Sequence, residues 1–311
     1  MFHYTNEKGL YGLLSSKRLW LVSSAEMEDI TDRFYANLFV TIALLRTDDE
    51  DVKKIREILD AKDILQANME ALEIPFYSAS FCMDSKNECL WEKYADRRKG
   101  VCIEFNEDYF YEYINKVMTE KKNILEGEEI SQEKEKNPYE KNLIESRSVK
   151  YGYPVCSFLE VIKLTKINYF PEQIDEIPSE HIKNRCKDWL VSVLRLFAGT
   201  IKSRQYEGEK EIRLLFQNIY TGKYAEKHPF VEICCYENER ILKELGVDKE
   251  VCTDGKKRME LNIEEIFDDR LIKCIILGDN FPPERVNTLK KKLKEANLPE
   301  SILCDRKENK I

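Results

Sequence analysis

Short apolar segments, each long enough for one buried strand, are scattered along the whole chain between helices of unequal length. Leu19–Val22, Val101–Phe105 and Leu271–Leu277 are examples. A doubly wound parallel sheet would show an even alternation of strands and helices with glycine-rich turns, and neither is present. The sequence therefore predicts an α+β fold with a mixed or antiparallel central sheet, helices packed around it and helical insertions.

The predicted helices follow from apolar residues spaced three and four positions apart. A short helix begins after Thr5 and is followed by a second strand, so the chain opens as strand, helix, strand. A long helix is predicted from Asp48 until Pro75 stops it, and a strongly amphipathic one over Lys183–Ile201. Further strands are predicted over residues 77–83, 149–153, 161–169, 211–220 and 230–235, and a terminal helix starts at Pro282-Pro283.

The 311 residues are interpreted as a single domain, residues 1–311, with a charged insertion at about 118–147. That segment is rich in Glu, Lys and Asn and has few large apolar side chains. It is typical of a solvated helical insertion or a loop and not of a linker between domains. The sequence predicts no particular oligomeric state.

The net charge of −8 disfavours broad, non-specific binding to nucleic acids, because an acidic surface repels phosphate backbones. No apolar run approaches the ~20 residues that span a bilayer, and nothing at the N-terminus resembles a signal peptide. A cytoplasmic protein with no membrane partner is therefore expected. Ten cysteines without a Cys-x-x-Cys pair, together with three histidines, predict reduced thiols and no metal site.

The run from Glu209 to Arg213 is the most informative polar motif. On a strand, Glu209, Glu211 and Arg213 would project to one face, while Ile212 and Leu214 would face the core. Two carboxylates and a guanidinium on one face can orient a polar ligand and stabilise positive charge that develops in it. The alternative is a solvated outer face with a surface ion pair.

His3, Trp91 and Tyr94 are the other candidate site residues. His3 opens the first strand and could position a ligand at the mouth of a cleft, or could serve as a structural hydrogen-bonding group. Trp91 and Tyr94 are three residues apart on a predicted helix and could form an aromatic wall, or could belong to the core. Gly-x-Ser-x-Gly, P-loop and Gly-x-Gly-x-x-Gly motifs are absent, which argues against common hydrolases, NTPases and dehydrogenases.

Short motifs follow one another in a recognisable order along residues 1 to 280. They are His3-Tyr4-Thr5, Leu19-Trp20, Asp29, Ser80-Phe81, Leu90-Trp91 with Tyr94-Ala95, Gly100-Val101-Cys102-Ile103, Val149-Lys150-Tyr151, Lys202 with Tyr206, Glu209-x-Glu211-x-Arg213 and Ile275-Ile276-Leu277-Gly278. This ordered set resembles the domain of unknown function family 2971. The chain departs from that family at Glu28, where Asn is frequent, and at Tyr206 and Ile212, where Trp is commoner.

The opening His-Tyr-Thr strand, leucine helix and second strand also look like the start of DNA- and RNA-directed ADP-ribosyltransferases. That distant resemblance implies NAD as cofactor, His3 as the group that orients the NAD ribose, and Glu211 or Glu209 as the carboxylate that stabilises an oxocarbenium-like centre. It implies that these groups converge on one cleft. It further implies a nucleotide or macromolecular acceptor, as in a bacterial defence or toxin effector. The residues expected to bind the ligand are Thr5, Trp20, Trp91, Tyr94, Lys202 and Arg213.

Two other functions remain open at the level of sequence. The first is a non-catalytic binding module, in which Lys202, Arg213 and Trp91 hold an anionic ligand or a protein partner and the carboxylates orient the basic groups. The second is a metal-dependent nuclease, for which Asp29 and Asp32 would have to meet the two glutamates of the later motif.

Overall fold

The structure is a computed structural model of the chain, described here for residues 1–27, 30–73, 75–114, 144–148, 150–151, 179–216, 248–253 and 256–306. The strands in these ranges are β1 (Phe2–Thr5), β2 (Arg18–Ser23), β3 (Tyr77–Cys82), β4 (Val101–Phe105), β5 (Ile144–Ser148), β6 (Lys150–Tyr151), β7 (Ile201–Lys202), β8 (Glu211–Phe216), β9 (Asp248–Thr253), β10 (Lys256–Asn262), β11 (Ile272–Leu277) and β12 (Leu303–Asp305). The α-helices are α1 (Glu7–Ser16), α2 (Ile30–Arg46), α3 (Glu50–Ile58), α4 (Ala61–Glu73), α5 (Glu88–Lys93), α6 (107–114), α7 (Ser179–Thr200) and α8 (Val286–Glu295).

The main sheet is mixed and mostly antiparallel, which confirms the predicted α+β class. Its strand order is β12-β11-β4-β1-β3-β2-β10-β9, with β8 added to β3 and β5 added to β8. The pairing of β11 with β12 is parallel, and the other pairings in this sheet are antiparallel. Strands β6 and β7 form a separate, parallel pair.

Strand β3 is the point at which the sheet divides. Along one edge it pairs with β8 over its whole length, from Tyr77 opposite Phe216 to Cys82 opposite Glu211. Its other edge is shared, because β1 pairs only near Cys82 and β2 pairs only near Tyr77. Two arms of the sheet, one through β1 and one through β2, therefore diverge from a single central strand.

Two separate apolar cores stabilise the fold. The larger one lies on one face of the sheet, where Leu10, Phe81 and Ile275 are buried together with side chains of α8. The second is formed by α2, α3, α4 and α7 and contains Val40, Ile55 and others. A smaller cluster, which includes Trp91, covers the opposite face of the sheet along the β1 arm.

The predicted long helix from Asp48 to Pro75 is wrong in its continuity, because α3 ends at Ile58 and α4 begins at Ala61. The break is stabilised by reciprocal capping. The backbone N–H of Asp63 donates to the Asp60 carboxylate at 2.9 Å, and the N–H of Asp60 donates to the Asp63 carboxylate at 3.1 Å. Such an exchange satisfies donors at a helix start and favours a new helix over continuation of the old one.

Other sequence predictions agree in part with the structure. The opening strand, helix and strand are present, and Asn6 caps α1 by accepting from the N–H of Gly9. Helix α2 was not predicted, and neither was the hairpin of β9 and β10. The predicted insertion at about 118–147 lies outside the described residues except for its last four, which belong to strand β5 of the main sheet and not to a helix or loop. The strands at 161–169 and 230–235 lie wholly outside the described residues. In the part of the chain that is described, no helix has the length and apolarity needed to cross a membrane.

Candidate functional site

Five charged side chains form a continuous chain of ion pairs, here named the charge cluster: Lys93, Lys202, Glu209, Glu211 and Arg213. Glu209 accepts from the ammonium of Lys93 at 2.8 Å through Oε1 and from that of Lys202 at 2.9 Å through Oε2. Lys202 lies 2.7 Å from Glu211 Oε2, and Glu211 Oε1 lies 2.8 Å from Nε of Arg213. Four of the five are buried, and Lys93 forms the exposed end with 43% of its side chain accessible.

The local backbone explains how the two glutamates reach the same cluster. Glu211 and Arg213 lie on β8 and project to the same face, as the alternation of a strand requires. Glu209 is not on that strand. It ends a 3-10 segment, Arg204–Glu209, and Lys210 then takes a left-handed conformation with φ of 46° that returns the chain to β8. The prediction of one strand carrying all three residues is therefore wrong for Glu209, although the side chains do converge.

Arg213 is fixed on several sides. Its Nε and Nη2 donate to Glu211, and its Nη1 donates to the carbonyl of Gly199 near the end of α7 at 3.0 Å. The hydroxyl of Ser80, on the neighbouring strand β3, donates to Glu211 Oε1. Arg213 is almost completely buried, so the alternative of a solvated outer face with a surface ion pair is wrong.

The ionisation of Glu211 is controlled by these partners. Burial by itself raises the pKa of Glu211, because a low-dielectric environment penalises the charged form. Attraction by Arg213 and Lys202 outweighs burial and holds the pKa at about 2, well below the usual 4.5. Glu211 is therefore a carboxylate throughout the physiological pH range.

Aromatic rings surround the exposed end of the cluster. The ammonium of Lys93 lies 4.9 Å from the ring centre of Tyr94 and 5.2 Å from that of Tyr206. Burial lowers the pKa of Lys93, but its hydrogen bond to Glu209 more than compensates, so the pKa lies above the usual value. Lys93 is therefore a fully charged ammonium held between two tyrosines at the protein surface.

Asn87 connects helix α5, which ends at Lys93 and is followed by Tyr94, to the segment that carries Glu209. Its side-chain oxygen caps α5 by accepting from the N–H of Leu90, and its Nδ2 donates to the carbonyl of Gly208 at 2.7 Å. One amide thus sets the start of the helix against the loop that supplies the carboxylate. This contact positions Lys93 opposite Glu209.

His3 lies next to the charge cluster but on the other face of the sheet. Its Nδ1 lies 2.9 Å from the carbonyl oxygen of Ser80, the residue whose hydroxyl donates to Glu211. The ring of His3 packs against Phe81, with centroids 5.6 Å apart, and Phe81 belongs to the sheet core. Because successive side chains of a strand point to opposite faces, the structure does not bring His3 and Glu211 to one cleft. Burial lowers the pKa of His3, which favours a neutral ring.

The remaining candidates lie at different distances from the cluster. Tyr94 joins it, with its hydroxyl 3.5 Å from Glu209 Oε1. Trp91 is completely buried, donates from Nε1 to the carbonyl of Ser85 and packs edge-on against Tyr4. Trp20 lies on the β2 arm, where the guanidinium of Arg258 stacks on its ring at 3.5 Å, and Thr5 pairs with Val101 in the sheet. The structure therefore places Trp91 in the core, and Trp20 and Thr5 make these contacts away from the charge cluster.

The charge cluster has three cationic groups and two carboxylates, so it carries one net positive charge in a chain whose overall charge is negative. This local excess is suited to an anion. Within the described ranges, no group of three or more His, Cys, Asp or Glu side chains is arranged to hold a metal ion. The nuclease alternative also requires Asp29 and Asp32. Asp29 lies outside the described ranges, and the structure describes the backbone of Asp32 but not its side chain.

No sequence pattern points to Lys93 or Asn87, although both belong to the site. Lys93 lies between Trp91 and Tyr94 in the sequence. The one available signal was position, because Lys93 is next to Tyr94 on a helix of six residues. A lysine on an exposed helix is so common that its identity alone carries no information about a site.

Comparison with protein families gives a match to part of the chain. A family model described as "Protein of unknown function (DUF2971)" matches residues 90–214. No curated protein and no solved structure matches the chain. The matched range includes all five members of the charge cluster, together with Tyr94 and Tyr206, whereas His3, Thr5 and Trp20 lie outside it.

Proposed function

We propose that the charge cluster is a binding site for an anionic small molecule that contacts Lys93. The observation that carries the proposal is the exposed end of the cluster, where a fully charged ammonium lies between two aromatic rings. A phosphate or carboxylate group can accept from such an ammonium while an attached ring packs against Tyr94 or Tyr206. A nucleotide combines both chemical features.

The carboxylates in this proposal orient the basic groups and take no part in a reaction. Glu209 binds the two ammonium groups of Lys93 and Lys202 on its two oxygens, and so holds Lys93 in one position. A side chain that is already ordered loses less conformational entropy when a ligand binds. The proposed role of Arg213 as a direct ligand-binding group has little support, since it is buried and donates to Glu211 and Gly199.

Titration calorimetry with pyrophosphate, ADP and NAD tests the proposal. We expect Lys93→Met to weaken binding about 10- to 100-fold, because a hydrogen bond to a charged group contributes roughly 1.5–3 kcal/mol. Lys99→Met is the matched control, since Lys99 is an exposed lysine in the turn that follows the same helix. Equal affinities for the two variants, or absence of binding by the wild type, would contradict the proposal.

ADP-ribosyl transfer from NAD is a second candidate, supported by the ionised state of Glu211. A carboxylate with a pKa of about 2 can stabilise the oxocarbenium-like centre that forms when the nicotinamide bond breaks. Its link to His3 is indirect, through Ser80. The support for the second candidate is therefore weaker than that for anion binding.

Nicotinamide release from NAD distinguishes the two candidates. Transferase chemistry requires release by the wild type and its loss in Glu211→Gln, with the variant confirmed as folded by circular dichroism. Binding of NAD without release, in the presence and absence of cell extract, would leave anion binding and reject the transferase.

A further inference from the structure

Helix α2 carries a row of exposed, large apolar side chains that is separate from the charge cluster. Phe34, Leu38, Ile42 and Leu45 follow one another at spacings of four, four and three residues, and Phe39 lies beside them. Between 36% and 54% of each residue is accessible to solvent. These five residues are named the α2 row.

The opposite side of the same helix is already used inside the molecule. Ala36, Val40 and Leu44 are fully buried in the helical core, where α2 packs against α4 and α7. A surface helix of a soluble protein normally has one apolar face and one polar face. Because α2 is apolar on both, its outer face lacks the polar side chains that would otherwise meet water.

We propose that the α2 row is the contact surface of a homodimer, in which it packs against the same row of a second copy of this chain. Phe34, Leu38 and Ile42 form a ridge with a four-residue repeat. Ridges of this type interdigitate when two helices cross at about −50°, and a two-fold axis brings identical ridges together. The interface is isologous, so each α2 row contacts its own equivalent.

The area available reaches the lower end of specific protein–protein interfaces, below that of permanent dimers. With roughly 200 Å² for a large apolar residue, the accessible fractions of the α2 row correspond to about 400 Å² on each copy. Two copies would bury about 800 Å² of apolar surface. Since homodimer interfaces are about 65% apolar, the whole interface would be about 1,200 Å², where specific interfaces begin.

The sequence of the row selects a second copy over other occupants. No Asp, Glu, Lys or Arg occurs within the row, from residue 34 to residue 45, and Arg33 and Arg46 border it at its two ends. Helices that lie on anionic membranes have a polar face rich in Lys or Arg along their length, and a charged partner would require complementary charges within the row. A neutral row is complementary to itself. Leu65 and Met69 form an exposed apolar pair on the neighbouring helix α4, which packs against α2.

Sedimentation velocity over a range of concentrations, from about 0.5 to 100 µM, tests the proposal with the full-length chain. As the protein concentration rises, we expect the apparent molecular mass of the wild type to increase from 36.8 kDa toward twice that value. Leu38→Glu should raise the dissociation constant at least tenfold, because it places a charge in the centre of the interface. Met83→Glu is the matched control, since Met83 is 55% exposed and Leu38 54%, and it should leave the dimer unchanged.

Cross-linking keeps the test independent of variant folding. With exposed Cys89 replaced by Ser in every variant, Leu38→Cys should form a disulfide-linked dimer under mild oxidation, whereas Met83→Cys and the Cys89→Ser parent should not. A wild type that remains a monomer at 100 µM, or a Leu38→Glu variant that dimerises as the wild type does, overturns the proposal. A monomeric wild type with an unfolded Leu38→Glu variant would instead indicate that the row is covered within one chain.

Discussion

The replacement Glu211→Gln should make the stability of the protein less dependent on pH. The pKa of Glu211 is about 2 in the folded protein and has its ordinary value of 4.5 in the unfolded chain, so folding favours the ionised form. The contribution of ionised Glu211 to the free energy of unfolding is therefore complete above pH 4.5 and is lost as the pH falls toward 2. Each pH unit between the two values corresponds to about 1.4 kcal/mol, which gives about 3 kcal/mol in total.

An independent consideration gives a similar magnitude. Removal of one partner from a buried ion pair typically costs about 3–5 kcal/mol, because the other charge remains buried without compensation. In Glu211→Gln, the charges affected are those of Lys202 and Arg213, both buried. At pH 7 the variant should therefore be less stable by about 3 kcal/mol, and the difference should shrink as the wild-type carboxylate becomes protonated.

The assay is urea-induced unfolding at pH 7, 5, 4 and 3, followed by circular dichroism. From pH 4.5 downward, the free energy of unfolding of the wild type should fall more steeply than that of the variant, by up to about 1.4 kcal/mol per pH unit. Glu207→Gln is the control, because its exposed ion pair with Arg204 should contribute about 0.5 kcal/mol or less. Parallel pH profiles for wild type and Glu211→Gln would refute the assigned pKa.

Two further predictions concern packing and thiol reactivity. Gly278→Ala should destabilise the fold by about 2 kcal/mol or more, because an added Cβ would lie 2.1 Å from the carbonyl oxygen of Arg98. In the control Gly208→Ala, the added Cβ has no atom within 4 Å, so this variant should have the melting temperature of the wild type. Among the cysteines that the structure describes, exposed Cys89 should react with a thiol reagent in the native state, whereas Cys102 should react only on unfolding, because it is buried and burial raises its pKa. Thermal melting and labelling followed by mass spectrometry measure these outcomes, and equal melting of the two glycine variants or rapid labelling of Cys102 would contradict them.

The sequence predicts elements that have one apolar face much better than elements whose surroundings determine their structure. Helix α2 was missed because apolar residues occur all around it, so no period of 3.6 residues appears. Strand β10 was missed for the opposite reason. Its residues are mostly charged, with Met259 and Leu261 as its only large apolar side chains, and pairing with β2 makes it a strand. Tertiary contacts outweigh local propensity in both cases.

The sequence pattern predicts the pairing of Glu211 with Arg213 but not the lysines that complete the charge cluster. The alternation of a strand is sufficient to place Glu211 and Arg213 on one face. The resemblance to a family indicates Lys202, and Lys93 reaches the cluster on helix α5, which Asn87 holds against the loop at Gly208. Contacts of this kind depend on how distant elements pack, which a single sequence does not encode in any local pattern.

The division of the sheet at β3 also sets the order in which the chain can fold during its synthesis. Strand β1 can pair with β4 early, but β2 obtains β10 as a partner only after residues 256–262 have been made. At 5–20 residues per second, the ribosome needs roughly 10 to 50 s to cover that interval. During this time the edge of β2 that later pairs with β10 has no partner strand, and its free backbone N–H and C=O groups can pair with other nascent chains. The free edge of β4 in the β1 arm waits in the same way for β11, so both arms of the sheet are completed only when the part of the chain after residue 255 has been made.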